Sequence, residues 1–242
     1  MINSKSVLAV VSAIGGCKTL ARRDSRMLGG KPLFAWSVNT AKNSRSVDRI
    51  VVVTDDNEVR SYSQAIGATV IAVPPEKETG MDRASFATAV ALREFAQYDM
   101  VAVIDAGAPL ILGSDLDGVL EVSLRNHGTP VVTVSETRLS PASLVVLDTS
   151  RKMRKVFGNQ DPVPPNTRIY TTSSAISASA VGYVQTHGTF LTEDTHAFLL
   201  APERSLIVES KADLVVAEGF LKLTGPGSEL MPFNSSVSSI SQ

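Results

Sequence analysis

Short apolar runs punctuate the first 135 residues: VLAVVSA (7–13), RIVVVT (49–54), ATVIAV (68–73), MVAVID (100–105) and TPVVTVS (129–135). Runs this continuous predict strands covered on both faces, hence a sheet that is mostly parallel. Between them, Phe34, Val38 and Ala41, then Val59, Tyr62 and Ile66, then Phe86 and Val90 recur at helical spacing. Gly67 and Gly128 stand where a helix end calls for a left-handed residue. Strands alternating with helices predict an α/β fold, a doubly wound sheet with right-handed crossovers.

After about residue 137 the pattern changes. A basic segment, RKMRKV (151–156), a proline-rich stretch, DPVPPN (161–166), and a run of small residues, TTSSAISASA (171–180), follow one another. They read as a β-rich arm, 138–200, inserted before the last strand, SLIVES (205–210), and the closing helix, KADLVVAEGFLKL (211–223). The expected organisation is one domain over 1–224 and a serine-rich tail, 225–242, with too little apolar surface to be held down.

Composition narrows the function classes. At 242 residues and 43% hydrophobic the chain can enclose a full core. Its 23 Lys and Arg against 24 Asp and Glu leave a net charge of −1, so overall charge argues for neither a nucleic-acid nor a membrane partner. Any anion site must be local. Cys17 is the single cysteine, which rules out an internal disulfide and suits a reducing compartment. No secretory leader pattern and no apolar run near the ~20 residues of a membrane span is present, so a cytoplasmic location is expected.

One place concentrates chemistry. The first strand runs into Gly15 and Gly16, followed by Lys18, Arg22, Arg23 and Arg26. Glycine amides with no side chain in the way cradle phosphate, and Lys18 and Arg22 would add charge; a tight turn with solvated cations is the plainer alternative. The stretch is neither a Walker loop nor GxGxxG. His127, His187 and His196 lack metal-ligand spacing.

SAIGGCKTLARRDSRMLGGKPLFAWSV (12–38) resembles the N-terminal signature of sugar-acid cytidylyltransferases of the CMP-sialic acid synthetase type, I-P-A-R-G-G-S-K-x-L-P-x-K-N followed by G-K-P-L. Gly15, Gly16, Lys18, Leu20 and Gly30 to Leu33 match. Thr54, Asp55, Gly67 and Ala68 fit the next strand, turn and helix; DRAS (82–85) sits where the family has Asp-x-Ala-Ser, and PERS (202–205) matches the lead into its last strand. The departures fall at Ile14, Cys17 and Asp24, where the family has arginine, serine and asparagine, and at 105–111, where it has Gln-Pro-Thr-Ser-Pro-Leu-Arg. Its last-strand Asp-x-Asp aligns with Ile207 and Glu209. IDAGAPLI (104–111) is in turn similar to the H-D-A-A-R-P signature of methylerythritol-phosphate cytidylyltransferases, as LIVESKADLVVAE (206–218) is to their ending.

These resemblances imply a Rossmann-like, nucleotide-diphospho-sugar transferase-like fold and transfer of CMP from CTP to a sugar acid, with Mg²⁺ as cofactor. Transfer to a sugar or polyol phosphate or a phosphonate, or a binding subunit that has lost the chemistry, are the alternatives. The implied catalytic cations are Lys18 and Arg22; Ala13, Gly15, Gly16, Asp24, Asp82, Arg83 and Ser85 would meet the nucleotide, and Asp105 and Glu209 the metal. A homodimer through residues 140–195 is also implied, the family's arm reaching into a partner's sugar site.

Overall fold

A computed structural model describes residues 2–14, 19–74, 81–137, 139, 143–156 and 167–223. The predicted βαβ series is there. Strand β1 (Val7–Ala13) leads through a 3-10 turn (Arg23–Ser25) and a small hairpin, β2 (Met27–Leu28) and β3 (Lys31–Pro32), into α1 (Leu33–Lys42). Then come β4 (Arg49–Thr54), α2 (Asn57–Ala65), β5 (Thr69–Ala72), α3 (Arg83–Phe95), β6 (Met100–Asp105), α4 (Gly113–Arg125) and β7 (Val131–Glu136). Gly67 and Gly128 adopt φ of +70° and +82°, as the sequence requires. The sequence pattern marks the end of α4 at Gly128 without naming the residues of its apolar face.

Residues 137–223 hold β8 (Val145–Leu147), β9 (Met153–Lys155), β10 (Tyr170–Ala180), α5 (Val181–His187), β11 (His196–Leu199) and α6 (Lys211–Leu223). Of the segment expected as an arm, β8 and β9 form a separate hairpin, whereas β10 and β11 belong to the main sheet. That sheet has seven strands in the order β11-β7-β10-β6-β1-β4-β5, all pairings parallel except the two made by β10. The expected last strand at 205–210 is not one: the segment is irregular, and its tie to the sheet region is a backbone bond from Val208 to the Gly107 carbonyl (2.8 Å). Its apolar residues serve another purpose, since Val208 and Leu206 join Leu20, Leu28, Leu33 and Ala217 in a cluster that fastens α6 over the N-terminal turn.

Core residues lie on both faces of the sheet, as the continuous apolar strands require. Val7 and Ala9 of β1 face Leu116, Val119 and Leu120 of α4, while Leu8 and Val10 point the other way, towards Ala87, Val90 and Ala91 of α3 and Val181 and Val184 of α5. From β1 the chain winds through β4 and β5 to one edge, then returns to place β6 on β1's opposite side. The gap between the carboxyl ends of β1 and β6 is therefore the point where winding reverses, the crevice in which open α/β sheets take ligands.

Beside that crevice β10 is irregular: its register against β7 shifts between Ser173 and Ser177. Buried Thr133 of β7 closes the bulge, its hydroxyl accepting from the Ile176 N–H (3.1 Å) and lying 3.0 Å from the Ser173 carbonyl oxygen, to which it donates. Thr133→Val keeps the shape but leaves buried backbone groups unpaired, a loss of about 1–3 kcal/mol. Urea unfolding is expected to show a lower midpoint at unchanged slope, and an unaltered midpoint would mean that the bulge does not depend on this hydroxyl.

Candidate active site at the strand tips

A cavity of about 360 Å³ opens over the crevice, lined by Ser12 of β1, Asp105 of β6, Asp82, Arg83 and Ala84 at the start of α3, Glu209, and the β10 bulge with Ser173, Ser174 and Ser177. Val132, Phe190 and Leu191 give it an apolar side. Ser12 and Asp105 are partners in the β1–β6 register, so sheet geometry alone brings them together. Asp82 caps α3, its carboxylate accepting from the Ser85 N–H (2.9 Å) and Ser85 Oγ (2.6 Å). Glu209 is held from two sides: its carbonyl accepts from Thr19 Oγ1 and its N–H donates to Asp213 (3.0 Å).

Under the cavity sits a buried charge cluster. The Arg23 guanidinium, 1% exposed, donates through Nε to Asp24 Oδ1 (2.6 Å) and through Nη2 to Asp105 Oδ1 (3.0 Å). Asp105 Oδ1 also accepts from the Gly107 N–H (2.6 Å), and the Asp105 carbonyl accepts from Ser37 Oγ (2.9 Å). Burial pushes the Asp24 carboxyl up from 3.8 to about 6; the Asp105 charge acts in the same direction and Arg23 opposes it.

A family model described as cytidylyltransferase matches residues 15–190. The chain belongs to the cytidylyltransferase family. It is 25% identical over 232 residues to the CMP-N,N'-diacetyllegionaminic acid synthase of Legionella pneumophila, covering 90% of this chain and 97% of that protein. The same fold occurs in a CMP:2-keto-3-deoxy-manno-octonic acid synthetase solved with CTP (TM-score 0.68, 17% identity, 90% of this chain and 98% of that one). It recurs in the 4-diphosphocytidyl-2C-methyl-D-erythritol synthase of Anaerococcus prevotii (TM-score 0.65, 13% identity, 90% and 99%). Both resemblances read from the sequence thus lead to one fold, and the first of them to the family.

This cytidylyltransferase brings together Asp82, Arg83, Asp105 and Glu209 around the cavity, with Asp24 beneath it. It does not gather all the expected residues there. Ala13 is buried in the sheet against Phe34 and Val38. Arg22 points outward, 62% exposed and ion-paired with Glu58 at the start of α2. Ser85 is the capping partner of Asp82, and Ile14, where the family motif has arginine, is wholly buried in the core. Gly15, Gly16, Cys17 and Lys18 lie outside the described residues. Among the described residues no group of three or more His, Cys, Asp or Glu side chains is placed to hold a metal.

Arg23 was passed over in favour of Arg22. The signal was available, because Arg23 immediately precedes Asp24 just as the motif's second lysine precedes its asparagine. The β10 hydroxyls carried none, since their run of small residues reads as part of a β-rich arm outside the main sheet.

The Asp24 shift fixes a pH dependence. With a carboxyl pKa near 6 in the folded state against 3.8 unfolded, the folded protein holds the extra proton between those values, so this group's contribution to stability falls as pH rises from about 4 through about 6. Asp24→Asn removes that component. Its urea midpoint is expected to gain on wild type across this window, and a difference that stays constant with pH would refute the assignment.

Proposed function

We propose that the protein transfers CMP from CTP to a sugar acid and releases pyrophosphate. The observation that carries this reading is the cavity at the winding reversal, where the carboxylates of Asp82, Asp105 and Glu209 and the Arg83 guanidinium line the crevice at the tips of β1 and β6. The family relationship supports it, as do relatives named for sugar-acid activation. An acceptor oxygen attacks the α-phosphorus, the bond to the bridging oxygen breaks, and pyrophosphate departs with its electron pair. Charge therefore builds on the α-phosphate oxygens and on the leaving group, and both need compensation.

In this reading Gly15, Gly16 and Lys18 receive the triphosphate, and Arg83 adds the cation that lines the described part of the cavity. Asp105 and Glu209 are the residues that would hold Mg²⁺. The donor set suits it, being hard oxygen on one cavity, and magnesium is usually bound by one or two carboxylates with phosphates and water completing the shell. The ion's contribution would be to offset charge on the α-phosphate and orient it for in-line attack. Against a sugar phosphate as acceptor stands the charge balance, since the described lining carries Asp82, Asp105 and Glu209 against Arg83 alone.

We also propose a homodimer through residues 140–195. The β8–β9 hairpin leaves Val145, Val146, Leu147 and Met153 exposed, and an isolated two-stranded hairpin is marginal in water.

The decisive experiment incubates the protein with CTP, Mg²⁺ and a panel of sugar acids and sugar phosphates. Pyrophosphate release with a sugar acid is expected, together with a nucleotide-dependent thermal shift that Lys18→Ala abolishes. A shift without turnover on any acceptor would favour a binding subunit, and no shift with any nucleoside triphosphate would overturn the reading. Sedimentation at micromolar concentration is expected to show a dimer that Leu147→Asp with Met153→Asp dissociates; a wild-type monomer removes the dimer proposal.

A further inference from the structure

Arg23 is among the largest wholly buried side chains of the described protein, yet it carries a full charge. Its two acidic neighbours are nearly as buried, Asp24 and Asp105 each 5% exposed. A surface cation steering a nucleotide is not built this way. A buried guanidinium spanning two carboxylates from different elements is a means of holding them in place, because its fork fixes direction as well as charge.

The bonds at Asp105 show what is held. Arg23 Nη2 and the Gly107 N–H both fall on Oδ1, and no bond from any described residue falls on Oδ2. The carbonyl of the same residue is tied to Ser37 on α1, and the carbonyl of Gly107 takes the Val208 N–H. Backbone and one carboxylate oxygen are thus committed, in a residue that lines the cavity. Gly107 leaves the room this requires. A Cβ built there would lie 2.8 Å from Arg23 Nη1, 2.9 Å from Arg23 Cζ and 2.9 Å from Asp105 Oδ1, closer than real carbon contacts allow.

We infer that Arg23, seated against Asp24 and given space by Gly107, is a positioning residue that fixes the Asp105 carboxylate by its Oδ1 and presents Oδ2 to the divalent cation carried in with the nucleotide. Arg23 touches neither nucleotide nor metal and acts through Asp105. Asp24 is the second anchor that stops the guanidinium from turning towards the cavity. The inference rests on the proposed metal role of Asp105, and it assigns Arg23, Asp24 and Gly107 a common task that does not depend on the acceptor.

The test uses full-length protein with CTP present and reads Mn²⁺ binding by electron paramagnetic resonance, beside circular dichroism and the steady-state constants. Gly107→Ala displaces the pinned groups without removing either charge. It is expected to stay folded, bind Mn²⁺ about 10–100-fold more weakly, as when an outer partner of a metal ligand is lost, and reduce kcat with little change in the KM for CTP. Arg23→Lys keeps the charge but cannot span both carboxylates, and is expected to show the same loss.

Folded Gly107→Ala and Asp24→Ala variants with wild-type Mn²⁺ affinity would overturn the inference, as would wild-type protein that binds no Mn²⁺ with CTP. Should Arg23→Lys fail to fold, those two variants decide. Wild-type protein that binds Mn²⁺ and CTP but releases no pyrophosphate on any acceptor would defeat the proposed reaction and leave the positioning role to be judged by the Mn²⁺ affinities.

Discussion

A guanidinium sealed from water is tolerable only with anions beside it, and the N-terminal half of this protein is arranged around that requirement. Arg23 reaches Asp24 within its own turn and Asp105 at the end of β6, so one cation ties the N-terminal turn to the centre of the sheet. The elements around it follow suit. The turn after β6 carries a glycine where any side chain would strike the cluster, and α1 sends Ser37 inward to the Asp105 carbonyl. Three stretches distant in sequence, near residues 23, 37 and 105, converge because one charge needs them.

The placement of the cavity follows from topology rather than from any one side chain. A sheet that winds one way from β1 and then the other must leave a gap at the reversal, and the residues ending those two strands face each other across it. The structure fills that gap from the far side with β10, whose bulge brings hydroxyl-bearing residues to the cavity wall. The site thus has an acidic floor, a cationic flank at the start of α3 and a polar wall, all carried by elements buried for packing reasons.

Much of the architecture was legible because β1, β4 and β6 are covered on both faces, and such strands must be continuously apolar. Asp105 was legible as a carboxylate closing one of these runs. Other parts could not be read, for physical reasons that differ from place to place. β10 is central yet made largely of serine, threonine and alanine; it is flanked by strands and covered by α4, which leaves little room for bulk, as the approach of Ala180 to Gly128 shows. Residues 205–210 mislead in the opposite sense: an apolar run that looks like a strand holds α6 onto the N-terminal turn by side-chain packing, with one backbone bond to the turn after β6. The choice between Arg22 and Arg23 was a matter of one residue. Which of two adjacent cations turns inward depends on the left-handed backbone at Arg22 (φ +54°, ψ +42°), a property composition does not reveal.

The antiparallel strand in the middle of the sheet has a bearing on how the chain assembles. β6 and β7 are nearest neighbours in strand sequence but never pair; the strand joining them, β10, is made some 35 residues after β7 ends. During synthesis the block β5-β4-β1-β6 can form early, whereas β7 waits with both edges open until β10 arrives, and β11 follows later still. The order in which the ribosome delivers these strands therefore leaves a half-sheet with raw edges, and the acidic floor of the cavity exists in that half-sheet before its polar wall does.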